Sequence, residues 1–175
     1  ARAKNIPVHI FNSRQPGATG TRIADRTVRC TNLIKSIAYK RPVSLVRFGA
    51  ASQDQLAGRE SGVLPAVTPV LSASSGSARV IAVDARAWEA ARSGYTGVET
   101  VPDRGIITIV GDDMKRDHSS VSIVFEAIRG IDVDLVVHGS SPIAMHLVVG
   151  QDVIADVVAR LHDVFFERPD PAVFE

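Results

Sequence analysis

The feature that most constrains this fold is a repeat, because the order strand, helix, strand, strand, helix can be read twice along the chain. The clearer copy starts with the β-branched run 106–110, after which apolar residues recur at helical spacing. Alternating apolar residues at 131–137 and 143–149 predict a hairpin, and residues 153–165 predict a second amphipathic helix. Helices on one face of an antiparallel sheet would bury all these apolar faces. The pattern therefore predicts an α+β chain of two ferredoxin-like βαββαβ domains.

The first helix of the clearer copy has recognisable ends. Asp117 or Ser119 can cap its N-terminus, and Gly130 lies where a left-handed residue commonly ends a helix. The spacing between these ends places four apolar side chains on one face, which we expect to be buried: Val121, Val124, Phe125 and Ile128.

The first copy is shorter and more divergent. Its second strand is flanked and interrupted by Pro65 and Pro69, which is typical of an edge strand. Trp88 lies in its second helix, and we expect the indole to cover the core of this copy. The predicted elements are strands at 43–48, 67–71, 78–83 and 98–101 and helices at 52–61 and 85–93.

Counting strands shows that the second copy lacks one. It ends in a helix and the Pro-rich segment 168–171, so its fourth strand must come from elsewhere. The unassigned segment 33–39 has the length of a strand and precedes the first copy. We predict that this segment completes the second sheet, so that the first repeat is inserted into the second and the two domains interlock.

Composition excludes several classes of protein. The 175 residues carry 20 Lys and Arg against 19 Asp and Glu, so no basic field favours nucleic acid. No apolar stretch approaches the length of a membrane span, and one cysteine allows no disulfide framework. An RNA-binding sheet would need exposed aromatic residues, but the few aromatics lie mostly at core-like positions. We expect a cytoplasmic protein, and the start without Met reads as a chain cut from something longer.

Candidate metal, nucleotide and acid–base residues have simpler structural interpretations. His138 and His146 lie eight residues apart, but zinc needs three or four converging ligands. Residues 17–21 are rich in glycine yet lack the lysine of a phosphate-binding loop, so an ordinary turn is expected. His162 is expected to pack against its helix rather than act as a base. No metal, cofactor or catalytic residue is predicted in this segment.

Five stretches of the second copy are informative by their order and spacing: 109–114, 124–128, 131–135, 139–141 and 161–167. Together they resemble the second ACT domain of aspartokinases, the enzymes that phosphorylate L-aspartate with ATP at the start of lysine, threonine and methionine biosynthesis. The N-terminal residues 6–10 and 20–23 are similar to the last strand and loop of the kinase domain in that family.

The resemblance implies the regulatory and dimerisation region of an aspartokinase. This region would be non-catalytic, with ATP and magnesium bound in a kinase domain outside this sequence, and it would form a homodimer through its ACT domains. The alternative is a free-standing tandem ACT sensor of amino acids or a separate regulatory subunit. The implied segments are a kinase stub (1–26), a strand of the second ACT domain (27–42), a first ACT domain (43–104), a second (105–167) and a tail (168–175).

The resemblance also implies an effector site for lysine or threonine in the first ACT domain. The matching positions are Gln53 and Asp54 at a helix start and Ser74 and Ser75 before a strand. The family has acidic residues at the positions of Gly76 and Val70, so two carboxylates for a ligand ammonium group are missing. Because burying an unpaired ammonium group costs several kcal/mol, we expect weak or lost effector binding. A flexible polar turn over residues 72–77 is the simpler interpretation.

The second copy retains a better-formed pocket mouth. Its residues precede a helix, begin that helix, or lie in the facing hairpin turn. We expect this surface to contact a neighbouring repeat or subunit, with a ligand pocket or plain solvent as the alternatives. The candidate residues are Asp112, Asp113, Met114, Ser119, Ser120, Val121, Ser140 and Ser141.

Overall fold

The computed structural model describes residues 4, 6–11, 13–14, 17, 21–23, 34–52, 55, 71–75, 78–116 and 118–167. The chain divides into two compact units, residues 32–169 and residues 1–31 with 170–175. In the smaller unit, β1 (Val8–Ile10) and β2 (Thr21–Ile23) pair antiparallel. The larger unit contains, in chain order, β3 (Ile34–Phe48), β4 (Leu71–Ser75), β5 (Ala78–Asp84), α1 (Ala85–Ala91), β6 (Val98–Gly111), α2 (His118–Ala127), β7 (Val133–Val137), β8 (Ala144–Gly150) and α3 (Ile154–Phe166).

The six strands of the larger unit form one antiparallel sheet in the order β4-β5-β3-β6-β8-β7. Its two central strands are long, and each takes part in both repeats. Residues 43–48 of β3 pair with β5, whereas residues 34–40 pair with 106–111 of β6. We call β4, β5, 43–48 and 98–104 the first half-sheet, and 34–40, 106–111, β8 and β7 the second half-sheet.

The pairing of residues 34–40 with 106–111 is the pairing that the strand count predicts, and it is confirmed. Each half-sheet has the ferredoxin-like strand order 4-1-3-2. In the second half-sheet, residues 34–40 take the place of strand 4, although they come before the other three strands in the chain. The two sheets expected from the repeats are two halves of a single sheet, because β3 and β6 continue through both. The first repeat therefore shares its two central strands with the second.

Three clusters of buried side chains hold the larger unit together. Trp88 of α1 is fully buried in the cluster of the first half-sheet, as predicted, and its Nε1 donates to Thr100 Oγ1 at 3.1 Å. A larger cluster joins the second half-sheet to α2 and α3 around Ile107 and Leu147. Alternation along the strands turns the third cluster, which includes Leu45, to the opposite face. The helices thus lie on one face of the sheet.

The two half-sheets meet where β6 changes register. Asp103 has φ +55°, and the pairing of β3 with β6 shifts between Lys40 and Leu45. Just beyond, Gly105 lies so close to α3 that a Cβ there would overlap Ile154 Cδ1. The absence of a side chain at Gly105 lets the start of α3 rest directly on the sheet.

Several predicted details differ from the structure. Residues 72, 74 and 75 lie in strand β4 rather than in a flexible polar turn, because this segment pairs with β5 at the edge of the sheet. Phe125 was expected in the core but is 43% exposed, whereas Val124 and Ile128 are buried. Gly130 has φ +83°, as its position after the helix predicts. The predicted helix 52–61 and the start of the predicted strand 67–71 lie almost wholly outside the described residues.

None of the helices within the described ranges has the length and apolar character needed to cross a lipid bilayer.

Candidate functional site

Three segments of the second repeat converge into what we call the loop site: the turn 112–116 after β6, the first residues of α2, and the connection 138–143 between β7 and β8. Local sequence shapes each segment. Asp113 takes φ +48° in the first turn, where Arg116 N donates to Asp113 O at 2.9 Å. Gly139 has φ +80°, a conformation that glycine adopts without strain, so the chain can leave β7 sharply.

Two hydrogen bonds hold the loops of this site together. Gly111 N donates to Ile143 O at 2.9 Å. His138 Nε2 lies 2.7 Å from Met114 O, and since a carbonyl only accepts, Nε2 must carry the proton. Met114 also anchors the turn, because its side chain is fully buried in the core beneath α2 and α3. The predicted members Asp112, Asp113 and Met114 are thus joined to the segment of Ser140 and Ser141.

The two carboxylates of the loop site are in different states. Lys35 Nζ lies 3.2 Å from Asp112 Oδ2, and both side chains are partly shielded from solvent. Lys35 comes from the strand that completes the second half-sheet, so the interlocked topology supplies this cation. Asp113 is exposed and has no ion-pair partner within the described residues. Among the described residues of the loop site, Asp113 is therefore a carboxylate that is available to an external group.

The start of α2 and the facing hairpin supply the remaining polar groups. Ser119 is exposed on the first turn of α2, Ser120 is buried, and Val121 is half-buried. Ser141 Oγ accepts from Ile143 N at 3.2 Å, which stabilises the bend before β8. Ser140 is exposed. Among the described residues, the site offers the exposed hydroxyl group of Ser140 and the carboxylate of Asp113, which can contact a zwitterion or a polar protein surface.

Only two of the four effector residues predicted in the first repeat lie within the described residues. Gln53 and Asp54 lie outside the described residues. Ser74 and Ser75 are opposite Arg79 and Ala78 in the β4–β5 ladder. Their backbone position on an edge strand, beside a connection of two residues, is compatible with a site at the end of this hairpin, which stays a prediction.

The histidines that the sequence singles out have ordinary structural contacts. His146 Nδ1 lies 3.0 Å from Thr108 Oγ1 on the neighbouring strand, and burial lowers the pKa of this imidazole below its usual 6.5. His162 is exposed on α3, with its ring centroid 5.1 Å from that of Phe166. The part of the chain that the structure describes contains no cluster of three metal-ligating residues.

Sequence reasoning did not identify Lys35 or His138 as parts of the loop site. A prediction of the residue register between the two strands could have identified Lys35. In the observed register Ile34 lies opposite Gly111, so Lys35 is close to the turn that follows β6. His138 directly follows β7, where a side chain can reach a neighbouring turn. Sequence reasoning also did not identify a polar cavity of about 390 Å³ that Arg104 and Asp134 line. Arg104 Nε lies 2.7 Å from Asp134 Oδ2, but the two groups are not aligned for a hydrogen bond.

Comparisons with known proteins agree with this architecture. A family model described as "ACT domain" matches residues 107–165, whereas no curated protein sequence matches the chain. Aspartate kinase from Clostridium acetobutylicum shares the fold with a TM-score of 0.79 at 18% identity, over 95% of this chain and 43% of that one. Aspartokinase III from E. coli, in complex with lysine and aspartate, gives 0.72 at 19% identity over 94% and 40%.

A shorter relative covers a smaller part of this chain. The regulatory subunit of aspartate kinase from Thermus thermophilus has a TM-score of 0.57 at 14% identity, over 76% of this chain and 98% of that one. The present chain thus spans less than half of the complete kinases and matches nearly the full length of a regulatory subunit. Residues 107–165 match the ACT domain model, and the chain has the fold of these aspartate kinase structures.

Proposed function

We propose that this chain is the regulatory and dimerisation region of an aspartate kinase, an enzyme that transfers a phosphoryl group from ATP to L-aspartate. The single observation that carries the proposal is the interlocked pair of ferredoxin-like half-sheets, the second of which lies in the segment that matches the ACT domain model. ATP and magnesium would bind in a kinase domain outside this sequence. The described residues supply regulation and assembly rather than catalysis.

Coverage favours a region joined to its kinase over a separate subunit. The matches to complete kinases from C. acetobutylicum and E. coli extend over 94–95% of this chain, but the match to the T. thermophilus regulatory subunit covers 76%. The additional share is similar in size to the unit that contains β1 and β2. A free-standing amino-acid sensor or regulatory subunit remains the second candidate function.

We further propose that feedback by lysine or threonine is weak or absent. The first repeat has Val70 and Gly76 where the resemblance implies acidic residues, so a ligand ammonium group would lack these two anionic partners. In the second repeat, Lys35 already neutralises Asp112 and leaves Asp113 as the available carboxylate. The interactions of a bound ammonium group with these residues would then not compensate for its loss of hydration.

Assembly would use the ACT surfaces. We propose a homodimer in which the loop site contacts a neighbouring ACT repeat, because its helix start and its exposed Asp113 and Ser140 are suited to polar contacts at the rim of an interface. A double substitution, Asp113→Lys with Ser140→Lys, would place like charges on such an interface. It should shift the chain from dimer to monomer in sedimentation equilibrium, whereas Arg86→Glu on the exposed side of α1 should not.

The function itself is tested with the longest protein that the gene encodes. Its aspartate-dependent release of ADP from ATP should be measured with the region present and with residues 32–175 deleted. The proposal predicts aspartate kinase activity that requires this region for normal assembly or rate. If the gene encodes no kinase domain, addition of the chain to the separate kinase subunit distinguishes a regulatory subunit from a sensor that has no effect on phosphorylation.

A further inference from the structure

A groove outside the loop site runs between α3 and residues 39–41 of β3, on the side of this segment that pairs with no strand among the described residues. Its volume is about 430 Å³, within the range of small-ligand pockets. The floor is apolar, formed by Ile154 and Val158 with the small side chains of Ala155 and Ala159. None of its residues belongs to the loop site.

The groove has a cationic and an anionic end. Arg41 and Asp163 both line it, and neither forms an ion pair within the described residues. The neighbouring Lys40 differs, because its Nζ lies 3.5 Å from Asp84 Oδ2. Tyr39 forms the wall beside Arg41, whose guanidinium carbon lies 5.7 Å from the centre of the Tyr39 ring.

The two charges lie near opposite ends of the helix. Arg41 Nη1 is 3.5 Å from Gln151 O, which places the guanidinium beside the start of α3. Asp163 lies nine residues after Ile154, or ~13 Å along the helix axis at 1.5 Å per residue. An α-amino acid with an uncharged side chain, such as glycine, carries its two charged groups on one carbon and cannot bridge such a gap. A longer ligand with its charges at its two ends can.

The dipole of α3 favours the same polarity. The helix has 13 residues, and no side chain caps its N-terminus, so its first amide groups favour an anion beside Arg41. The C-terminal half favours a cation beside Asp163 for the converse reason. His162, which is exposed next to Asp163, adds a hydrogen-bonding group at that end.

We propose that this groove binds an elongated dipolar aliphatic molecule, with a carboxylate held at Arg41, an ammonium group held at Asp163, and methylenes packed against Ile154 and Val158. This inference does not depend on the proposed function, since the groove shares no residue with the loop site. It defines a ligand class by charge separation rather than by a feedback role.

The probe for this class is 6-aminohexanoate, with hexanoate, hexylamine and glycine as controls. Calorimetry and amide chemical shifts should be measured on the full chain. We expect 6-aminohexanoate to bind and to shift the amides of residues 39–41 and 155–163. Each one-charge control should bind at least about tenfold more weakly, because a charge-assisted contact is lost, and glycine should not bind.

Substitutions distinguish a specific binding site from nonspecific electrostatic attraction. Arg41→Gln should weaken 6-aminohexanoate binding about tenfold, whereas Arg86→Gln, another exposed arginine, should leave it unchanged. Ala159→Leu keeps good helix propensity but fills the groove, so it should abolish binding in a folded chain. Equal affinity for hexanoate and 6-aminohexanoate, unchanged binding by Arg41→Gln, or absence of any shift at millimolar probe would each overturn the proposal.

Discussion

Replacement of Gly105 by alanine tests the close contact at the junction of the two half-sheets. An added Cβ would overlap Ile154 Cδ1 and lie 3.0 Å from Ile154 Cγ1 and 3.3 Å from Lys40 O. Ile154 is 1% exposed and surrounded by core residues, so it has little room to move. Overpacking costs about 1–3 kcal/mol, and loss of glycine entropy from the unfolded chain offsets ~0.4–1 kcal/mol. We expect Gly105→Ala to lower the free energy of unfolding by about 1–2 kcal/mol.

The assay is urea unfolding, followed by the fluorescence of Trp88 in the first half and by far-UV circular dichroism. Both probes should give one transition, because the half-sheets share β3 and β6. The matched control is Gly49→Ala, where a Cβ meets nothing within 4 Å and stability should be unchanged or higher by up to ~1 kcal/mol. Ile154→Val removes the overlapped methyl, so the penalty at Gly105 should shrink by at least ~1 kcal/mol in that background. Two results would refute the close contact. One is that the effects of Gly105→Ala and Ile154→Val on the free energy of unfolding are additive. The other is that the Gly105→Ala protein is as stable as the Gly49→Ala protein.

Three further predictions concern hydrogen bonds and titration. Trp88→Phe should lower the free energy of unfolding by about 1–2 kcal/mol through the lost bond to Thr100 and lost volume, and unchanged unfolding by circular dichroism would contradict this. His146 has a lowered pKa in the folded state, so stability should be flat above pH 6.5 and fall as pH drops below it, when only the unfolded chain takes up the proton. His146→Gln should flatten this profile in urea titrations, and a variant with the wild-type slope would exclude His146 as its cause. His138→Ala should release Met114 O and speed amide hydrogen exchange in residues 139–143, while equal protection would show that the bond does not hold the loops.

Topology was the most predictable property of this chain, because strand counting uses only the number and order of apolar patterns. Residues 34–40 were a predicted strand without an assigned partner, and the second repeat lacked one strand. The same counting could not show that β3 and β6 run unbroken through both repeats. The two strands stay continuous because the chain accommodates register shifts near Lys40 and a positive φ at Asp103. The spacing of apolar residues carries no information about such backbone irregularities.

Contacts between distant segments were the least predictable. Phe125 has helical spacing with core residues, yet α2 rotates so that Val124 and Ile128 take the buried positions. Lys35 and His138 join the loop site through partners 77 and 24 residues away, counted from Lys35 to Asp112 and from Met114 to His138. The serines of β4 have low strand propensity, but pairing with β5 outweighs that local preference.

The central proposal is that this chain is part of an aspartate kinase in which feedback by lysine or threonine is weak or absent. The most direct test is the initial rate of aspartate phosphorylation by the longest protein that contains this chain, measured as lysine or threonine is raised from micromolar to millimolar concentration. The account predicts aspartate-dependent activity that neither amino acid halves below the millimolar range. Half-inhibition at micromolar lysine or threonine would contradict the lost feedback, and absence of any aspartate-dependent activity would contradict the assignment to an aspartate kinase.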